Sequence, residues 1–313
     1  MERQATRVLL GLPGMRPADR RRRGGGADIA PGRVPFAIAV AMTTPFAPDA
    51  SLDLDALRAH VELLVEDGVD ALVPAATTGE GPLLEEAEAT AVHAATVEAA
   101  RGRAEVIAHV GRPSTAATLR LAAAAIDAGA DAVVAVTPYY YGFDQDELVR
   151  HYAALVEAAG DVPAYAYAIP ERTGNALGAE ALERLAGEGL AGIKDSSRSL
   201  ELHREYAAVA RRRAQEGSGF RLLMGSERML LDAWRSGAVG AVSALSSARP
   251  DLLVRFRSAC DDGSEDGVRA VQEEITRVRN ELPDIARVKR VVSERLSSGG
   301  VDYRPDLRAP LLA

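Results

Sequence analysis

From Val34 onward, short apolar runs alternate with stretches in which apolar residues recur every three or four positions. The runs at 36–42, 71–75, 105–109, 132–136, 164–168, 191–194, 221–224 and 238–242 are rich in Val, Ile and Ala. That composition, over four to seven residues, predicts strands buried on both faces. Between the runs, 53–66 places Leu54, Leu57, Val61, Leu64 and Val65 on one helical face. Helical patterns follow at 85–100, 114–128, 145–159, 179–186, 200–213 and 228–236, and Gly68, Gly129 and Gly237 supply stops before the next strand. Eight strand-then-helix units predict an α/β fold, a (β/α)8 or TIM barrel. A doubly wound sheet is the alternative. It would more often carry a Gly-rich loop after the first strand, where Thr43-Thr44-Pro45-Phe46 stands instead. Further helices are predicted at 250–261, 267–282 and 284–296. The expected division is a tail at 1–33, a barrel at 34–262 and a C-terminal helical extension at 263–313.

Composition narrows the classes. A chain of 313 residues, 47% hydrophobic and 26% charged, is ordinary for a globular protein with a sizeable core. One cysteine, Cys260, excludes an intramolecular disulfide framework and a cysteine-based zinc cluster. A net charge of −8 argues against nucleic acid or an anionic membrane as partner. No apolar stretch is long enough to span a bilayer, and the expected location is the cytoplasm. The first 35 residues differ: eight arginines stand against Glu2, Asp19 and Asp28, and Arg20 to Arg23 run into three glycines. Such a segment predicts a disordered tail. Of 37 basic residues only Lys194 and Lys289 are lysines. A lysine amine can attack a carbonyl, which a guanidinium cannot.

In a barrel of this kind the C-terminal ends of the strands line the active site. Those ends hold Thr77-Thr78-Gly79-Glu80, Thr137-Pro138-Tyr139-Tyr140-Tyr141, Tyr167 followed by Arg172, Lys194-Asp195-Ser196-Ser197, Gly225-Ser226-Glu227, and Val242-Ser243. Lys194, on a short central strand, would be partly desolvated, which favours the nucleophilic amine. The alternative is a structural lysine paired with a carboxylate such as Asp195. Lys289 lies in a charged helical stretch and reads as a solvated surface residue. Tyr165 and Tyr167 share a strand face, and Tyr167 is nearer the mouth, where Thr77 could meet its hydroxyl. Arg172, in a turn after a proline, could clamp a carboxylate. His60, His93, His151 and His203 fall on predicted helices without metal-ligand spacing, so no metal is expected. His109 ends a strand at the pocket. Cys260 reads as inert.

With these positions in place, the chain resembles the dihydrodipicolinate synthase / N-acetylneuraminate lyase family. The resemblance rests on Thr77-Thr78-Gly79-Glu80, Thr137-Pro138-Tyr139-Tyr140, Tyr167 to Gly174, and Gly192-Ile193-Lys194-Asp195, in this order at successive strand ends. It implies class I aldolase chemistry on pyruvate or another 2-oxo acid, with no metal or dissociable cofactor. Lys194 would form the Schiff base and Tyr167 would move the proton. Thr77 would link Tyr167 to Tyr140, which in the family enters from a neighbouring subunit, so a homodimer or homotetramer is implied. Thr78 and Gly79 would hold the 2-oxo acid carboxylate.

For the second substrate, an aldehyde, the motifs diverge. Arg172 in an Arg-Thr-Gly turn resembles synthases that condense pyruvate with aspartate semialdehyde. Residues 107–111 resemble N-acetylneuraminate lyases, while 78–82, 139–141 and Gly225-Ser226-Glu227 resemble aldolases of 2-keto-3-deoxy sugar acids. In those aldolases Ser226, Glu227 and Ser243 would hold substrate hydroxyls, beside Gly225 and Val242. A 4-hydroxy-tetrahydrodipicolinate synthase-like condensation is the first expectation and sugar-acid or sialic-acid cleavage the second. A non-catalytic keto-acid-binding barrel is a third. The counterparts of the polar and histidine positions in the lysine-feedback site of regulated synthases look like Gly81, Pro82, Glu86, Ala89 and Pro113, so no inhibition by lysine is expected.

Overall fold

The computed structural model describes residues 35–311. The expected tail at 1–33 lies outside them. Eight strands close into a parallel barrel in chain order: β1 (Ala37–Ala41), β2 (Ala71–Val73), β3 (Glu105–His109), β4 (Ala132–Val136), β5 (Ala164–Ala168), β6 (Gly192–Asp195), β7 (Arg221–Met224) and β8 (Gly240–Ser243). β8 returns to pair with β1. The helices are α1 (Leu54–Glu66), α2 (Glu86–Ala100), α3 (Thr115–Asp127), α4 (Gln145–Ala159), α5 (Pro170–Thr173), α6 (Ala179–Gly187), α7 (Leu200–Gln215) and α8 (Leu230–Ser236). Beyond β8 come α9 (Leu245–Ala248), α10 (Pro250–Asp261), α11 (Glu265–Glu281) and α12 (Ile285–Ser298). The expected (β/α)8 barrel with added C-terminal helices is the observed fold. Among the described residues no helix is long and apolar enough to cross a membrane.

Departures from the expected boundaries have local causes. β2 stops at Val73 because Pro74 has no N–H for the ladder and Ala75 turns left-handed, at φ 55°. α11 starts two residues early because the Ser264 side chain accepts from the Gly267 N–H and caps it.

Alternation along each strand sorts side chains between two cores. Val40, Leu72, Val106, Val133, Ile193 and Leu222 face the helices. Ala39, Ala41, Ala71, Ile107, Val134, Tyr165, Tyr167, Leu223 and Val242 fill the barrel. Small alanines on β1 and β2 leave the volume that the two tyrosines occupy. A Cβ on Gly192 would stand 2.9 Å from the Tyr165 ring and 2.2 Å from the Arg221 carbonyl oxygen. Tyr165 is therefore a packing residue. Its hydroxyl takes a 3.1 Å hydrogen bond from Arg221, which also pairs with Glu105 at 3.3 Å. This trio forms a polar layer inside the barrel, on the starts of β3 and β7.

Three fully buried imidazoles make the fold acid-sensitive. Burial lowers His60 from 6.5 to about 4, and His93 and His109 to about 3. The unfolded chain therefore binds protons below pH 6.5 that the folded chain refuses. Stability is full above that pH and is lost as pH falls toward 3–4. At pH 5 each group forfeits about 2 kcal/mol. Thermal melts between pH 7.5 and 4.5 should show Tm falling steeply below pH 6, and a flat profile would contradict this assignment.

Candidate active site

Lys194 and Tyr167 are register partners on β6 and β5. Both side chains point into the barrel, and the Lys194 Nζ lies 3.9 Å from the centre of the Tyr167 ring. Lys194 is only 6% exposed. Space for its stem comes from β7, since a Cβ on Gly225 would lie 3.1 Å from Lys194 Cε and 1.9 Å from Ser196 Oγ. The Thr77 hydroxyl meets the Tyr167 hydroxyl at 3.2 Å. Burial alone would push the Tyr167 phenol up. The Lys194 charge and hydrogen bonds with Thr77, Ser196 and Lys194 outweigh it, so the phenol sits below its ordinary value. The result is a primary amine, a phenol primed to exchange a proton, and a hydroxyl bonded to that phenol.

Asp195 is not the partner of Lys194. Neighbouring strand residues face opposite ways, so Asp195 looks outward to α7. There its Oδ2 meets His203 Nδ1 at 2.8 Å, and His203 Nε2 meets Ser236 Oγ at 2.8 Å. Strand geometry keeps Asp195 from the lysine amine, and among the described residues no carboxylate pairs with it.

The turn after β2 holds Thr77, Thr78 and Gly79 between two left-handed residues, Ala75 at φ 55° and Glu80 at φ 58°. Such conformations cost free energy in non-glycine residues and cluster at functional sites. Gly79 packs against β1, where a Cβ would stand 2.9 Å from the Met42 carbonyl oxygen, and its own carbonyl accepts from Thr44 at 2.7 Å. Thr78 is buried.

Tyr140 stands apart from this group. It is left-handed at φ 84° and 86% exposed, with its ring edge-on to Tyr141 at 5.0 Å between centroids. Arg172, on α5, is exposed, and no ion pair engages it among the described residues, whereas its neighbour Glu171 pairs with Arg198. On β7 and β8, Val242 lines the barrel interior and Ser226 is half-buried. Glu227 differs from the expectation that it holds substrate hydroxyls. Its Oε1 already accepts from Ser243 Oγ at 2.9 Å and from the amides of Ala244 and Leu245 at 3.0 and 3.1 Å. Arg279 takes its Oε2 at 3.3 Å. The carboxylate ties the last two strand ends together, and Ser243 is spent on the same link.

Sequence reasoning placed Ser196 at the mouth but gave it no role; it is a hydrogen-bond partner of Tyr167. Sequence reasoning missed Asn175. This buried amide donates to the carbonyls of Pro138 and Tyr141 at 2.9 and 2.8 Å, and its Oδ1 accepts from the Phe143 N–H at 2.9 Å. Thr137 and Thr173 join their hydroxyls at 2.9 Å beside it. Together they lock the loop bearing Tyr139, Tyr140 and Tyr141 to the turn bearing Arg172. An asparagine following a glycine in a turn was the only signal. His109 sits edge-on to Tyr167, 6.2 Å between ring centroids, with its Nδ1 donating to the Ala75 carbonyl at 3.1 Å. Its Nε2 is thus a buried acceptor lone pair beside the phenol.

Comparison with known proteins places the chain in a family. The family model of the dihydrodipicolinate synthetase family matches residues 35–313. An uncharacterized DapA-like lyase of Halobacterium salinarum is 38% identical over 281 residues, 86% of each chain. A 4-hydroxy-tetrahydrodipicolinate synthase of Methylococcus capsulatus is 37% identical over 244 residues, 78% of this chain and 81% of that one. A solved dihydrodipicolinate synthase from Acinetobacter baumannii, complexed with pyruvate, superposes with a TM-score of 0.78 at 29% identity, over 89% of this chain and 93% of the other. The chain belongs to the dihydrodipicolinate synthetase family and is a lyase of that family.

Proposed function

We propose that the protein condenses pyruvate, or a closely related 2-oxo acid, with an aldehyde through a Schiff base on Lys194, and that aspartate semialdehyde is the aldehyde. The observation that carries this is a Lys194 amine, paired with no carboxylate among the described residues, 3.9 Å from the centre of the ring of a phenol whose hydroxyl is bonded to Thr77. The Lys194 nitrogen attacks the keto carbon and the carbonyl oxygen takes up a proton. Water then leaves to give the iminium. The iminium draws electrons from the adjacent carbon, which loses a proton to give the enamine. The enamine carbon adds to the aldehyde carbon, whose oxygen takes up a proton, and hydrolysis restores the amine. Tyr167 shuttles these protons through Thr77, and Thr78 with the amides of its turn holds the 2-oxo acid carboxylate. The relative complexed with pyruvate supports the choice of 2-oxo acid.

Arg172 supports the choice of aldehyde, since an exposed guanidinium with no ion pair among the described residues suits an aldehyde that bears a carboxylate of its own. Tyr140 and Tyr141, 86% and 68% exposed on a loop locked by Asn175, suit a homo-oligomer in which Tyr140 completes the relay of a second protomer.

The test is pyruvate turnover with a panel of aspartate semialdehyde, N-acetylmannosamine, glyceraldehyde and glyoxylate. Aspartate semialdehyde should be consumed fastest. Arg172→Ala should raise its half-saturating concentration about 10- to 100-fold, as expected for a lost charge-assisted pair, without changing adduct formation with pyruvate. Faster turnover of glyceraldehyde or N-acetylmannosamine would assign the protein to sugar-acid or sialic-acid cleavage instead.

A further inference from the structure

Lys289, expected on the surface, is fully buried. On α12 it reaches the turn after β2, where its Nζ meets Glu80 Oε1 at 2.8 Å, both side chains at 0% exposure. The same Nζ donates to the Asp306 carbonyl and lies 4.3 Å from the centre of the Phe46 ring. The second carboxylate oxygen of Glu80 accepts from the Arg308 backbone N–H at 2.7 Å. Both oxygens of one site-turn carboxylate are therefore held by the last part of the chain.

The segment around these contacts is fastened on both sides. The Arg308 side chain forks onto both oxygens of Glu88, at 2.8 Å for the Nη2 bond, and donates to the Ala50 carbonyl at 2.6 Å. Tyr303 meets Thr43 Oγ1 at 2.5 Å, next to the Thr44 that holds Gly79. The chain end thus straps the turns after β1 and β2. Glu80 directly follows Thr77-Thr78-Gly79 and is itself left-handed. An unpaired buried carboxylate would be expelled toward water, and the turn would go with it.

We infer that Lys289 is a positioning residue: through Glu80 it holds the Thr77–Gly79 turn in the shape that receives the 2-oxo acid carboxylate and meets Tyr167. This rests on the Schiff-base reading above for its functional half alone. It acts on binding, since the turn bears the carboxylate's partners while the amine stands on β6.

Two measurements on the full-length protein test it. In Lys289→Met, amide hydrogen exchange of residues 76–81 should speed up at least tenfold, while β5 and β6 keep their protection. Borohydride trapping should then show the pyruvate needed for half-maximal Lys194 adduct raised at least tenfold, with the adduct at saturation within threefold of the parent. Should Lys289→Met fail to fold, Arg308→Ala loosens the same strap and should shift both readouts the same way, by less. Unchanged exchange at 76–81, or adduct lost equally at every pyruvate concentration, overturns the inference. If the parent protein forms no adduct, the Schiff-base reading fails while the exchange result still decides whether Lys289 holds the turn.

Discussion

Replacing Lys194 by arginine should abolish the pyruvate adduct and reduce turnover by at least about 10³-fold. The parent protein, incubated with pyruvate and borohydride, should gain one pyruvate-derived mass on the peptide containing Lys194. The variant should gain none on any lysine. The size of the effect follows from chemistry: a guanidinium stays protonated and has no free electron pair to offer a keto carbon. Sequence and structure make the result easy to read. The only other lysine, Lys289, is buried and engaged by Glu80, so no second side-chain amine can take over. Lys194→Ala controls for the bulk of arginine, which would press on Ser196 and on the space that Gly225 leaves open. Adduct elsewhere, or turnover retained within tenfold, would remove Lys194 from the mechanism.

How far this site could be read in the sequence depends on how local each signal is. β3, β4, β5 and β7 have the predicted bounds, because strands buried on both faces are unbroken apolar runs whose ends are marked by polar residues and turns. The positions of Thr77, Tyr167 and Lys194 were legible for a related reason: each lies at or just beyond the C-terminal part of such a run, and barrel closure then brings distant strand ends together without further information. Strand alternation also separates Lys194 from Asp195, which removes Asp195 as its partner.

What was not legible is partner choice across the chain. Lys289 sits among Arg287 and Arg290 and looks solvated, yet its partner Glu80 is 209 positions away. Nothing local distinguishes it from its neighbours. Glu227 fails differently: its position at a strand end was read correctly, but the amides of Ala244 and Leu245 that saturate it belong to the next βα turn. Asn175 is the same case, a turn residue whose role lies in a loop 34 residues back. Side chains that act by joining two loops leave no periodic trace.

The second large effect is expected at Tyr167. Tyr167→Phe keeps the ring over which Lys194 lies and removes the hydroxyl alone, so packing in the barrel should be preserved. Turnover should fall about 10²- to 10⁴-fold, the range for losing a positioned proton donor and acceptor. Pyruvate should still bind, because the turn proposed to hold its carboxylate is untouched. The trapped adduct should therefore approach the parent level at long times while accumulating more slowly. Thr77→Val removes one hydrogen bond to the phenol and should cost about tenfold. The pH profile gives an independent check. The Lys194 charge and the hydrogen bonds hold the phenol below its ordinary value of 10.0 against the burial that opposes them. The limb of the kcat profile set by this group should accordingly fall below pH 10, and it should vanish in Tyr167→Phe while persisting in Thr77→Val at a higher pH. The shift has that sign because losing a hydrogen bond to the phenolate favours the protonated form. A Tyr167→Phe enzyme within threefold of the parent, with the same limb intact, would mean that the proton moves through another group, and the His109 Nε2 lone pair beside the ring would be the first to examine.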